Sequence, residues 1–148
     1  MPSGQPAEKN GRVVLLQEGI PTRIAEKDRL LSDTIEVLER DDWVRGEDAL
    51  RVRMAIDEAL TNAMVHGNHM DAAKRVTVEV FAENDRWGIA IEDEGSGFAA
   101  DALPDPDDPE NLLREGGRGV IMMRGFMDEV RFLGRRNRVV MTRGRRSG

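Results

Sequence analysis

Three short stretches of this sequence place chemically useful residues at useful spacings. In DEALTNAMVHGN, Glu58, Asn62 and His66 recur every fourth residue. Four residues advance a helix by about one turn, so these side chains would stack along one edge, where a carboxylate and an amide can share a ligand. The same spacing also suits a solvated helix edge with a polar residue near its C-terminal cap. In Glu92-Asp93-Glu94-Gly95-Ser96-Gly97-Phe98, glycines two apart let backbone come close to a flat ligand. Asp93, at a strand exit, can accept a hydrogen from an adenine amino group. Guanine presents a carbonyl there, and an unpaired buried acid costs about 1–3 kcal/mol. The plainer alternative is a glycine turn. In Gly116-Gly117-Arg118-Gly119-Val120, a glycine run opens a helix whose free N–H groups and positive dipole end suit phosphate; a simple turn is again the alternative. Neither GxGxxG after a strand nor a GKS/GKT P-loop occurs.

These stretches need elements to hold them. RVVLLQE (Arg12 to Glu18) reads as a strand between two glycines. Apolar residues at helical spacing predict a helix from Pro21 to about Arg40, with Pro21 in its first turn. A second helix opens near Gly46 and ends around Gly67, read as a left-handed stop. Alternation predicts a strand at Arg75 to Glu83, and Trp87 to Glu92 returns as a second strand after a turn at Asn84-Asp85. Gly95 to Gly117 carries Pro104, Pro106 and Pro109 among acids, a long loop that calls for a function such as a lid. Gly119 to Met127 predicts a helix, and Glu129 to Leu133 with Arg138 to Thr142 a closing hairpin. The order β-αα-ββ-α-ββ, without internal repeats, predicts an α+β two-layer sandwich: a mixed sheet with helices on one face.

Length and composition narrow the classes. At 148 residues the chain fits one domain. It has no cysteine, which excludes disulfide scaffolds, thiolate metal sites and cysteine nucleophiles. Met1 to Gly11 has no apolar run to serve as a signal peptide or membrane span, so a cytoplasmic setting without membrane association is expected. A net charge of -6 argues against direct nucleic-acid binding. Acids gather between Asp101 and Glu110, and arginines from Arg131 onward; each block is read first as solvated surface, with selection of partners as the alternative.

Taken together, the three stretches resemble the boxes of the GHKL (Bergerat, histidine-kinase-like ATPase) fold. Within it the sequence looks like the RsbW-like anti-sigma-factor serine/threonine kinases. The phrases that carry the resemblance are EALTNAMVHGN (Glu58 to Asn68), EDEGSGF (Glu92 to Phe98), PDPDDPENLLREGGRG (Pro104 to Gly119) and MRGFMDEV (Met123 to Val130). It covers about Arg12 to Thr142 and divides the chain into a flexible tail (1–11), an ATP-binding kinase domain (12–143) with a lid (98–116), and a basic tail (144–148).

The resemblance implies ATP and Mg²⁺ as cofactors. Asn62 would coordinate the metal, and Glu58 would act as base toward a partner's serine. Asp93 would hold adenine, Gly95 and Gly97 would make room for the nucleotide, and Gly117, Arg118, Gly119 and Val120 would meet the phosphates, with His66 nearby. The implied partners are a sigma factor and an anti-anti-sigma (STAS) protein bearing the target serine, and the family the chain resembles often forms homodimers. Two other readings compete: a non-catalytic ATP-binding module that sequesters a partner, and a histidine-kinase catalytic domain or a fragment of another GHKL ATPase. Against the last, both histidines, His66 and His69, lie in or beside the first box.

Overall fold

The computed structural model describes residues 8–9, 11–95, 117–134 and 137–145. Gly97, the expected lid at 98–116 and most of the two expected tails lie outside them. Strand β1 (Glu8–Lys9), inside the expected N-terminal tail, pairs with β2 (Arg12–Pro21). Helices α1 (Ile24–Arg40) and α2 (Glu47–Asn62) follow, α2 continuing into a π-turn (Ala63–Gly67). Then come β3 (Arg75–Glu83), β4 (Arg86–Asp93), α3 (Gly117–Phe126), β5 (Glu129–Leu133) and β6 (Arg138–Gly144).

From Arg12 onward the predicted element order is observed; β1 is an added strand that the expected tail did not foresee, and two further corrections follow. The sheet, in the order β1-β2-β3-β4-β6-β5, is antiparallel at every described pairing rather than mixed. Its pairings join β2 to β3 across the two-helix excursion and β4 to β6 across the α3 excursion, and both returns run antiparallel. Pro21 closes β2 instead of opening α1. Its missing N–H is tolerated because β1 covers β2 only at Arg12 and Val13, far from that end.

Burial alternates along the first half of β3 and along β6, while β4 is buried on both faces from Trp87 to Ile91. Val76, Val78 and Val80 of β3, Ile89 and Ile91 of β4 and Met141 of β6 are buried on the helix side, while Arg75, Thr77 and Glu92 face out. Against them α1 sets Leu30, Leu31 and Leu38, α2 sets Val52, Ile56 and Leu60, and α3 adds Val120 and Met123. Each fully buried aliphatic side chain contributes about 1.5–3 kcal/mol, so this shared layer fixes the helices on the sheet. At the β3–β4 turn, Asn84 takes φ 57°, a left-handed conformation that asparagine tolerates.

The basic C-terminal strand is not merely solvated. Arg143 is 5% exposed and its Nη2 donates to Asp48 Oδ1 (3.2 Å) in the first turn of α2. Arg145 lies over the Trp43 ring at 3.9 Å and donates from Nη1 to Asp42 O (2.6 Å). The last strand thereby clasps the α1–α2 connection and the start of the helix that carries Glu58 and Asn62.

Candidate functional site

Glu58 and Asn62 lie on the last turns of α2, both half-buried and one helical turn apart as their spacing predicts. His66 departs from that stack. It lies exposed in the π-turn, where Asn68 N donates to Ala63 O (2.8 Å), a five-residue closure that changes the angle between successive side chains. Met70 N then reaches back to Met64 O (2.8 Å).

The wider turn brings Gly67 onto the end of β4. Gly67 is not the left-handed stop expected of it: the positive φ values here belong to His69 (52°) and Met70 (55°). Glycine is required at 67 for space, since a Cβ there would stand 2.6 Å from Asp93 Oδ1 and closer still to Cγ and Oδ2. Gly95 is caught in the same way. A Cβ at 95 would lie 2.8 Å from Asp93 Oδ1 and 2.9 Å from the carbonyl carbon of Gly67. The carboxylate of Asp93 thus sits between two glycine backbones that approach as only glycine allows.

Asp93 faces the helix side of the sheet and is 9% exposed. Gly95 N donates to its Oδ1 (2.8 Å), and Asn137, in the β5–β6 turn, receives Asp93 N on its carbonyl (2.9 Å). Burial pushes the carboxyl above its ordinary range and the Glu92 charge adds to this, while the Gly95 hydrogen bond opposes it. A carboxylate has about four acceptor sites, so Asp93 can still take a ligand's amino hydrogen.

The third stretch meets the first. α3 opens at Gly117, and a Cβ on Gly119 would lie 2.6 Å from Glu58 Cγ and closer to its carboxylate. Glu58 therefore rests on the first turn of α3, at the helix end whose dipole favours anions. Val120, next in line, is buried in the core, so its side chain does not face the Glu58 site. The Arg118 side chain lies outside the described residues. Among these residues no three His, Cys, Asp or Glu side chains gather to hold a metal. Asn62, flanked by Glu58, fits a hard cation that takes most of its oxygens from phosphate and water. The glycine cradle with its desolvated carboxylate likewise fits an adenine edge.

Sequence reasoning assigned no role to the residue that ties the cradle together. Asn68 is 0% exposed, and its Oδ1 accepts from Glu94 N (2.8 Å) while Nδ2 donates to Thr22 Oγ1 (2.9 Å) and Arg75 O (3.0 Å). No spacing rule could find it, because its partners lie 46, 7 and 26 residues away along the chain.

The family model described as Histidine kinase-like ATPase domain matches residues 21–143. Among curated proteins, the chain is 30% identical over 96 residues to an anti-sigma F factor of Clostridium perfringens (strain SM101 / Type A), covering 62% of this chain and 67% of that one. It is 33% identical over 86 residues to the serine-protein kinase RsbW of Bacillus subtilis (strain 168), covering 54% of each. With an anti-sigma F factor of Bacillus thuringiensis (strain Al Hakam) the identity is 35% over 88 residues, covering 57% and 59%. The matches therefore span about 54 to 67% of these relatives' own lengths.

Proposed function

The chain belongs to the histidine kinase-like ATPase domain family, and from that premise we propose that it is an anti-sigma regulator that binds Mg-ATP and phosphorylates a serine of a STAS-type anti-anti-sigma partner. One observation supports the catalytic part: Glu58 rests on Gly119, so a proton acceptor stands at the start of α3, where a helix dipole favours an anion. A module that only bound nucleotide would need the Asp93 cradle but no base at that place.

Each residue has a definable task. Asp93 accepts the hydrogen of the adenine amino group, its carboxylate held between the Gly67 and Gly95 backbones. Asn62 offers its amide oxygen to Mg²⁺, which would neutralise phosphate charge. The amides of Gly117, Arg118 and Gly119 receive phosphate oxygens. Glu58 orients the seryl hydroxyl and takes its proton as the seryl oxygen bonds to the γ-phosphorus; the bond from that phosphorus to the bridging oxygen breaks, and ADP leaves.

Support for the regulatory part comes from the printed names of the relatives, anti-sigma F factor and serine-protein kinase. The sigma factor, the STAS protein, a cytoplasmic setting and a homodimer belong to this proposal. No helix among the described residues is long and apolar enough to cross a membrane.

The test is Glu58→Gln with labelled ATP and a purified STAS-type partner. Phosphoserine formation should fall by about 10²–10⁴ while Mg-ATP affinity stays within about threefold. Transfer at the wild-type rate by the variant would remove Glu58 as base. No transfer by the wild type, with partner binding intact, would leave the non-catalytic module.

A further inference from the structure

We propose that Asn68 is a positioning residue of the nucleotide site, holding Glu94 and Gly95 so that the Asp93 carboxylate stays fixed between the two glycine backbones. The proposal rests on the adenine reading of Asp93, but its core concerns the ligand-free protein.

The orientation of the Asn68 amide is set by its neighbours. Thr22 Oγ1 donates its hydrogen to Lys74 O (2.7 Å), so it can offer Asn68 only a lone pair. Arg75 O is an acceptor, and Glu94 N–H is a donor. Turning the amide over would set NH₂ against N–H and oxygen against two acceptors, three repulsive contacts in a fully buried place. One arrangement survives, and in it every polar atom of the side chain is used.

That arrangement joins four segments. The main-chain N–H of Asn68 closes the π-turn on Ala63, its Nδ2 grips Thr22 after β2 and Arg75 at the start of β3, and its Oδ1 holds the main chain just past β4. Glu94 is anchored a second time, because its own carboxylate accepts from Arg75 N. One residue further, Gly95 N donates to Asp93 Oδ1. Asn68 also directly follows Gly67, the other wall of the cradle. A single buried amide therefore sets both walls and, through Gly95, the hydrogen bond that steadies the carboxylate. Nothing about Asn68 requires it to touch the nucleotide.

The test uses the full chain and begins without nucleotide. In the wild type the Glu94 amide should exchange its hydrogen slowly, and in Asn68→Ala about tenfold or more faster. The Asp93 carboxyl, followed by carbon NMR among its neighbours Glu92, Lys74 and His69, should titrate higher in the variant as Gly95 N–H leaves Oδ1. Leu38→Ala, a core truncation on α1, serves as a control for lost stability alone and should leave both readouts near wild type. With Mg-ATP, calorimetry should show Kd raised about tenfold for Asn68→Ala and less than about threefold for Leu38→Ala. A wild-type Glu94 amide that exchanges like an unprotected one overturns the proposal without any variant. So does an Asn68→Ala protein whose Glu94 exchange and Asp93 titration are unchanged. If those two readouts shift as expected but the wild type takes up no Mg-ATP, the anchoring is upheld and the nucleotide reading fails.

Discussion

Replacing Gly67 by alanine separates two effects that usually work together. Gly67 has no positive φ, so alanine suits its backbone, and reduced freedom of the unfolded chain would by itself stabilise the protein by about 0.4–1 kcal/mol. The added methyl, however, would stand 2.6 Å from Asp93 Oδ1 and nearer to Cγ and Oδ2, more than 1 Å inside the usual separation of about 3.5–4.0 Å. Asp93 is a short side chain, 9% exposed and tied to Gly95, so it has little space into which to withdraw. Forcing atoms into such a place costs about 1–3 kcal/mol, which exceeds the entropic gain, and Gly67→Ala should be net destabilising by about 1–2 kcal/mol. In an Asp93→Ala background the colliding atoms are gone, and the same substitution should be neutral or stabilising. Urea denaturation of the four proteins gives the coupling from midpoints at constant slope, expected on the order of 2 kcal/mol. Calorimetry should also show weakened Mg-ATP binding in Gly67→Ala. A Gly67→Ala protein more stable than wild type, or a coupling near zero, would refute the idea that this glycine exists to admit Asp93.

Three further outcomes follow from the same geometry. Gly119→Ala pushes on the far end of Glu58, a longer and half-exposed side chain that can swing away; stability should hold within about 0.5 kcal/mol, while phosphoserine formation falls by about 10² with Mg-ATP affinity little changed, as turnover and calorimetry would read. Because burial raises the Asp93 carboxyl above the usual value of about 3.9, the folded state holds that proton more tightly than the unfolded one. Its stability should therefore decline relative to Asp93→Asn as pH rises from about 4 through the raised value; a constant difference in urea midpoints between about pH 4 and 8 would contradict this. Asp48→Ala leaves the buried Arg143 without its carboxylate and should cost about 2 kcal/mol, below the roughly 3–5 of a fully enclosed pair because the Asp48 side chain is 30% exposed. The Arg143 hydrogen bond holds Asp48 below the usual carboxylate range, so its contribution is present above about pH 4 and fades as pH falls through the lowered value; Asp48→Leu with Arg143→Met should recover most of the loss in urea titrations.

The sequence by itself determined the elements and their order. Helical and period-two spacing are local properties, and the stripes they predict on α1, α2 and β3 are largely buried, although Ile24 (48% exposed) and Leu50 (60% exposed), counted among them, lie on the surface. It also marked the residues of the candidate site: Glu58 and Asn62 share a helix edge, Asp93 ends a strand and Gly117 opens a helix, all within short windows. Tertiary structure decided what chain distance hides. Strand direction depends on how excursions return to the sheet, so an antiparallel sheet replaced the expected mixed one. Gly67 reads locally as a helix stop but is glycine because β4 brings Asp93 against it. Arg143 reads as a solvated charge until β6 sets it beneath α2. Asn68 closes a phrase that carries the resemblance but shows no role of its own until Thr22, Arg75 and Glu94 close around its amide, for a buried hydrogen-bonding group is defined by partners that only the fold assembles.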